Sequence, residues 1–508
     1  MNKLYKIMIG VMLFLGLSGC SKHFLDEKSQ DEVKPSTVTE LQELLMGTVY
    51  PAGQIHASFL SYLDEMTDDM TSNFNPDPGA LTLYKDYVGP FTWQADMFET
   101  MTAAGTPVDI DTYDHYYRGI MGCNAVLDLI DKVRGDDSAR DNVQGQALAM
   151  RGYFYFMLVN LFGQPYNAKG VDITTSPGVE LILSSTVHDD YPKRVSVAQI
   201  YTQVEADLLK ALPLMEQYGT NNSKFKVTDM FVYTLLSRMY LYMEKWDQAQ
   251  LYASRALLVN PLLVNLASIP YPSPSYVVPA TSVYDITSRE AIWVGYAGWN
   301  EYYYLNQFRP YGPIPFGISP DLQSKYQFDR LNTTNRGDLR MRYFYMWDYL
   351  DANMTIPVPI AGQKLSQITG DGPIKGMRVA ELYLNRAESY IQQYLKNGDE
   401  SMRTAALADL NFLRSNRYDT RNVAYVKVDY SGPALLDFCR DERRRELSFE
   451  DHRWFDLRRY GMPEIHHGFQ MTGGQSPVDY VLHQGDKRYV LPIPRTVLLK
   501  NPALVPNP

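Results

Sequence analysis

Apolar residues recur at helical spacing, in paired blocks, over much of this chain. Between residues 139 and 162, Ala147, Met150, Phe154, Met157, Leu158 and Leu161 share one face, and Gly163 and Pro165 close the block. Residues 113–133 predict a helix before it, and residues 197–215 a partner after it. Residues 229–244 and 246–259 read as two helices joined by a very tight turn, with Asp247 as the N-cap of the second. The arrangement repeats over 378–395 and 401–417, with Asn397-Gly398 as the break. Small residues such as Ala249, Ala253, Ala256 and Ala387 let paired helices approach closely. A last helix runs up to Glu450, with Leu435, Leu436, Phe438, Leu447 and Phe449 as core anchors and charges around them. Glu442, Glu446 and Glu450 recur every four residues beside Arg443, Arg444 and Arg445, which predicts charge pairs across the helix's own turns.

These are helical hairpins of the tetratricopeptide (TPR) type, irregular in period and without a clean 34-residue repeat. The fold expected is mainly α, with TPR-like hairpins over about 113–260 and 376–450. The text between them, about 261–375, is rich in proline, glycine and aromatics, with short β-like runs at 290–296 and 342–347. Residues 74–98 share that character. A loop-rich, partly β insertion follows, in which Tyr343, Phe344, Tyr345, Trp347 and Tyr349 alternate like a half-buried strand that is mostly core.

The start of the chain reads differently. Lys3 and Lys6 precede an apolar run, 7–17, broken by Gly10 and Gly16. Spanning a bilayer takes about 20 apolar residues, so this run has the length of a signal-peptide core. It ends in Leu17-Ser18-Gly19-Cys20, the pattern of a bacterial lipoprotein cleavage site. Removal of residues 1–19 would free the Cys20 thiol and amine for acylation, and two or three acyl chains anchor stably where one does not. The alternative is a plain secretory signal with an incidental cysteine. Residues 20–37 then form a polar tether into a first helix at 38–49, and 20–508 one globular unit.

Composition narrows the function by exclusion. A net charge of -10 over 508 residues argues against a nucleic-acid partner. No later apolar run approaches membrane-spanning length. Beyond Cys20 only Cys123 and Cys439 remain, read as buried free thiols rather than a disulfide. The eight histidines are scattered, and the adjacent pair His466-His467 lacks the helical spacing of a zinc site. Serine elbow, phosphate loop and metalloprotease motif are absent from the sequence. Paired acids such as Asp68-Asp69 are not a glycosidase pair, which must flank the scissile bond. Neither a catalytic nor a metal site is expected. Asp109, Asp111 and Asp114 are spaced like the start of a calcium loop but lack its turn glycine and terminal glutamate. Calcium is thus the one cofactor the pattern admits, while Asp114 reads better as the cap of a helix beginning near Tyr116.

Aromatic residues mark the candidate binding chemistry. Tyrosine occurs 39 times, and rings crowd the stretch from Trp293 to Tyr311. Trp293 sits in an alternating apolar strand and is assigned to the core. Trp299, Tyr302 and Tyr303 follow Gly298 in a loop, interleaved with Asn300, Glu301, Asn306 and Arg309. Amphipathic rings suit a ligand with apolar faces and polar edges, and a sugar is one: C–H faces stack and hydroxyls bond to Asn or Arg. The alternative is a locally packed loop. Asp69, Asn73, Asn75, Tyr84 and Trp93 form a second polar-aromatic group, in which Trp93 reads equally as structural.

Several ordered strings carry a resemblance. Residues 441–461 read DERRRELSFEDHRWFDLRRYG, and with QALAMRGYFYFMLVNLFG, KGMRVAELYLNRAESYI and the closing YVLPIPRTVLLKNPALVPNP the chain resembles the RagB/SusD family of lipid-anchored outer-membrane nutrient-binding proteins. Asp26 and Glu27 loosely resemble the acidic surface-export signal of such lipoproteins. The resemblance implies four TPR-like hairpins and glycan capture at the cell exterior. It also implies delivery to a SusC-like TonB-dependent importer. Ligand residues would come from the region of Asp69, Asn73, Tyr84 and Trp93 and from the central insertion. The rival readings are a TPR-type assembly lipoprotein and a surface glycoside hydrolase.

Overall fold

In the computed structural model the described residues are 34–50, 60, 62–76, 78–105, 111–186, 190–220, 223–271, 283–297, 315–345, 347–349, 357–359 and 374–507. The main helices are α1 (Val38–Thr48), α2 (Pro78–Phe91), α3 (Met97–Ala104), α4 (Thr112–Leu129), α5 (Asp137–Phe162) and α6 (Val197–Tyr218). They continue with α7 (Asp229–Tyr242), α8 (Trp246–Val259), α9 (Val379–Asn397), α10 (Glu400–Ser415), α11 (Gly432–Leu447) and α12 (Arg453–Arg459). Two short antiparallel pairs join distant parts, β1 (Met70–Ser72) with β3 (Phe316–Ile318) and β2 (Ala291–Ala297) with β4 (Ile374–Arg378), while β5 (Ile465–Phe469) and β6 (Val478–Leu482) form a local hairpin. The expected mainly helical hairpin architecture is what is found.

Capping explains where the helices begin. Asp136 accepts from the Ala139 amide to start α5, Ser196 and Gln199 form a reciprocal capping box on α6, and Thr228 accepts from Phe231 on α7. Gly398, at a φ of 71° that a β-carbon would oppose, ends α9 where the Asn397-Gly398 break was expected. Successive helices pack as hairpins, α4 on α5, α5 on α6, α7 on α8 and α9 on α10, with α8 against α9 joining the last two. α5 is the central helix. It is buried on every side from Gly145 to Phe162, and its polar residues are satisfied within the core. Arg151 pairs with Asp207 at 2.7 Å and bonds Asn124, while Tyr201 donates to Asn160 at 3.0 Å. Cys123 and Cys439 are buried free thiols.

Four expectations need correction. Residues 74–98 are largely helical: Gly79, Gly89 and Pro90 read as breakers, yet α2 runs through all three, with Pro90 one residue from its end. Leu83, Tyr84, Tyr87 and Phe91 give that helix a buried face. Asp247 does not cap α8, which already begins at Trp246 with no side-chain cap. Asp111, not Asp114, caps α4 by accepting from the Asp114 amide, because the helix starts at Thr112. Finally, residues 342–345 do not form the β-like run expected over 342–347. Arg340–Tyr343 forms a helical turn, and the strand found there is Trp347–Tyr349. Tyr343, Phe344 and Tyr345 are nonetheless core, as expected.

The charges of α11 are the largest surprise. They do not surround a core-facing stripe; Glu442, Arg443, Arg444, Arg445 and Glu446 are themselves buried. Arg445 to Glu442 is the local pair, while most partners come from far along the chain. Glu446, 0% exposed, accepts from Arg378 at 2.6 Å, Arg417 at 2.9 Å and Arg340 at 3.0 Å. Glu442 holds Arg414 at 2.6 Å and Arg340 at 2.7 Å. Glu290 adds a second carboxylate to Arg417, and Glu450 one to Arg378. Further out, Arg443 binds Asp456 at 2.8 Å and Arg459 binds Glu388 at 2.6 Å, tying α11 and α12 to each other and to α9.

Acid should dismantle this lattice. Burial alone would raise the Glu446 carboxyl above its ordinary 4.5, but Arg417, Arg378 and Arg340 overcome that and hold it far below. Glu442 is depressed too, with burial again opposed by Arg340, Arg445 and Arg414. A depressed carboxylate contributes stability that is complete above its unfolded value and is lost as pH falls. Melting temperature should therefore drop steeply below about pH 4.5, and not between pH 8 and 5 on account of these groups. Glu446→Gln should lose much of that acid slope and about 3–5 kcal/mol at neutral pH, read by denaturant unfolding. A melting temperature level down to pH 3 would contradict this account.

Candidate binding face

Two strand pairings hold the described chain on either side of residues 298–314. In the β1–β3 ladder Met70 faces Ile318 and Ser72 faces Phe316, and the Asn73 amide continues it by donating to the Pro315 carbonyl at 2.8 Å. Pro315, the first described residue after 314, therefore sits beside Asn73. Before residue 298, β2 ends with Ala297 facing Ile374 at the start of β4. The chain after residue 373 thus enters at the same edge. Next to it, Lys375 donates to Asp64 at 3.1 Å and to Asp451 at 3.0 Å, fixing the first turn of β4 to two other parts of the chain. Three residues of β3 are too few to show a period in sequence, and Lys375 stands in no motif. Neither was legible beforehand.

Aromatic packing supports the face from behind. The Phe316 ring meets Tyr84 at 5.8 Å, Phe91 at 5.2 Å and Tyr87 at 6.2 Å, with Phe469 of β5 against Tyr84 at 5.6 Å. Edge-to-face pairs of this kind favour a defined geometry over a fluid cluster.

The candidate residues divide sharply. Asn73 is half-buried at the rim. Tyr84 is 0% exposed; its hydroxyl donates to the Asn73 carbonyl and accepts from the Asn75 amide at 2.7 Å, and burial pushes it up to about 12. Trp93 is 2% exposed, its indole N–H donates to the Met66 carbonyl at 2.9 Å, and its backbone takes a φ of 53°. Asp69 is 1% exposed and bonded to Arg444 at 2.6 Å. These three positions face inward and build the support of the face, which corrects the expectation that they offer ligand contacts. The side chain type was informative; its direction was not. Trp299, Asn300, Tyr302, Tyr303 and Arg309, like Cys20, lie outside the described residues. Trp293 is core as expected, its indole N–H donating to the Phe225 carbonyl at 3.2 Å.

Metal chemistry finds little footing. Among the described residues there is no group of three or more His, Cys, Asp or Glu arranged to hold an ion. Asp111 is committed to its cap and Asp114 to an ion pair with Arg118, while Asp109 lies outside the described residues.

Known proteins share this architecture. Residues 23–241 match a family model described as starch-binding associating with outer membrane, and residues 289–508 match the model of the SusD family. A SusD-like carbohydrate-binding protein from Bacteroides vulgatus is 20% identical over 92% of this chain and 97% of its own, with a TM-score of 0.65. A SusD superfamily protein from Bacteroides thetaiotaomicron is also 20% identical, over 93% of this chain and 100% of its own, at a TM-score of 0.65. Another from Bacteroides vulgatus is 21% identical, over 93% and 99%, at 0.65. Among curated proteins nothing matches. At such identities the solved structures speak for the fold alone, but with family models matching residues 23–241 and 289–508, this chain belongs to the RagB/SusD family.

Proposed function

We propose that this protein captures an oligo- or polysaccharide at the outer surface of the outer membrane and delivers it to a SusC-like TonB-dependent importer. The observation that supports the reading is that the residues flanking the aromatic segment 298–314 are each held by backbone pairing, Ala297 against Ile374 and Pro315 by the Asn73 amide. Family membership points the same way. On this reading Trp299, Tyr302 and Tyr303 stack on sugar faces while Asn300, Arg309 and Asn73 bond to hydroxyls. The role is binding, not catalysis, and an assay for released reducing ends separates it from a surface hydrolase. Among the described residues no helix is long and apolar enough to cross a membrane, and attachment is assigned to acyl chains on Cys20.

A second reading draws on α8. Leu251, Leu258, Val259 and Leu262 are exposed along and just beyond that helix. Such a row suits a protein partner and favours a role in assembly, whether with the importer or apart from it.

Two experiments test the primary reading. Trp299→Ala/Tyr302→Ala should weaken glycan binding roughly 10- to 100-fold with little change in melting temperature, since each stacked ring contributes on the order of 1 kcal/mol. Trp93→Ala should do the reverse, costing about 3–5 kcal/mol of stability as a truncated core ring. Unchanged affinity in the double variant moves the site away from 298–314. For the anchor, Cys20→Ala should fold normally and leave the membrane fraction. Sedimentation of that variant with outer membranes lacking the importer would overturn the lipoprotein assignment.

A further inference from the structure

His467 lies near the middle of β5, 3% exposed, behind the aromatic cluster that supports the candidate face. Its Nδ1 is 2.7 Å from the Phe91 carbonyl oxygen and its Nε2 is 3.0 Å from the Thr67 carbonyl oxygen. Carbonyl oxygens only accept. A neutral imidazole has one N–H and one bare lone pair, so in either tautomer one of these two contacts sets lone pair against lone pair. Only the doubly protonated ring donates to both.

The surroundings fit a cation at this point. The imidazole stacks on Phe91, with centroids 4.1 Å apart and planes 15° apart, and on Trp93 at 4.4 Å and 22°. Aromatic faces attract a cationic ring. Asp68, near the Thr67 side, and Asp479, on β6, both favour the charged form. Arg453 and Arg444 face the same region but are engaged by Asp68 and Asp69, and His466 next along β5 points to the opposite side, toward Asp479 and Glu464. Burial acts against the charge and holds the imidazole below its ordinary 6.5, with the two carbonyls resisting.

We infer that His467 is a proton-operated latch: protonated, it ties β5 both to the end of α2 through Phe91 and to the turn before β1 through Thr67, and deprotonated it keeps one of these ties and releases the other. Proton uptake falls on the acid side of neutrality and needs no other group to change. Because Thr67 leads into β1 and Phe91 packs on Phe316 of β3, closing the latch tightens the β1–β3 ladder. The inference stands without the glycan reading, since every contact is internal.

Two measurements on the ligand-free protein test it. Imidazole nitrogen shifts, assigned to His467 by its loss in His467→Phe, should show N–H on both nitrogens at pH 5 and on one at pH 7.5. Hydrogen exchange over 62–76, corrected for the intrinsic effect of pH, should be several-fold slower at pH 5, and His467→Phe should remove that difference while keeping the ring stack. A ring that stays singly protonated down to pH 5 overturns the latch, as does a pH effect on exchange that survives in His467→Phe. If the variant fails to fold, the wild-type shifts decide, with the signal assigned through the backbone.

Discussion

A carboxylate stripped of water and surrounded by three guanidiniums, Glu446, is the constraint around which this fold is arranged. Its partners come from the helical turn at Arg340, from the end of β4 at Arg378 and from just beyond α10 at Arg417. Each of these segments would leave an unpaired charge in a dry interior if it were displaced. The net gain of such a lattice over an apolar core is small, because desolvation takes back most of the attraction. Its penalty for rearrangement is large. α11 therefore acts as a register pin: helices that would pack acceptably in several ways find one in which every charge is answered.

That pin bears on the candidate face. Arg378 ends β4, whose first turn holds Lys375, and β4 pairs with the strand that launches residues 298–314. Arg444 of the same helix reaches Asp69, next to β1, and Asp321, just after β3. Both strand pairs are thus fastened to α11, through Arg378 of β4 and through Arg444 to the residues flanking β1 and β3. The string at 441–461 that was most recognisable in the sequence turns out to be the piece that holds the two halves in register.

How much of this could be read beforehand follows the range of the interactions. The hairpins from 113 to 259 and over α9 and α10 were legible because their signal repeats every turn and their caps lie within three residues. α2 was hidden by Gly79, Gly89 and Pro90, whose local preference the burial of Tyr84 and Phe91 overrides. The charges of Glu442 and Glu446 were visible, but their partners include Arg340, Arg378, Arg414 and Arg417, up to 106 residues away along the chain. Pairing only with their own neighbours, they had looked like a solvated helix face. Tyr84, Trp93 and Asp69 show the same limit from the other side. Polar aromatic groups suggest contact with something, and here that something is the protein itself. Asn73 is half-buried at the rim, where its backbone amide extends the ladder.

The way β2 and β3 are secured also has a bearing on how such proteins diversify. Ala297 is held by β4 and Pro315 by the Asn73 amide, so both ends of the intervening segment are fixed by backbone hydrogen bonds that do not depend on what the segment contains. A scaffold of this kind separates inheritance into two parts. The body must conserve charge partners scattered over the whole sequence, while the segment between the two anchors is free to change length and lettering. A change confined to that segment leaves both backbone anchors and the buried charge lattice in place.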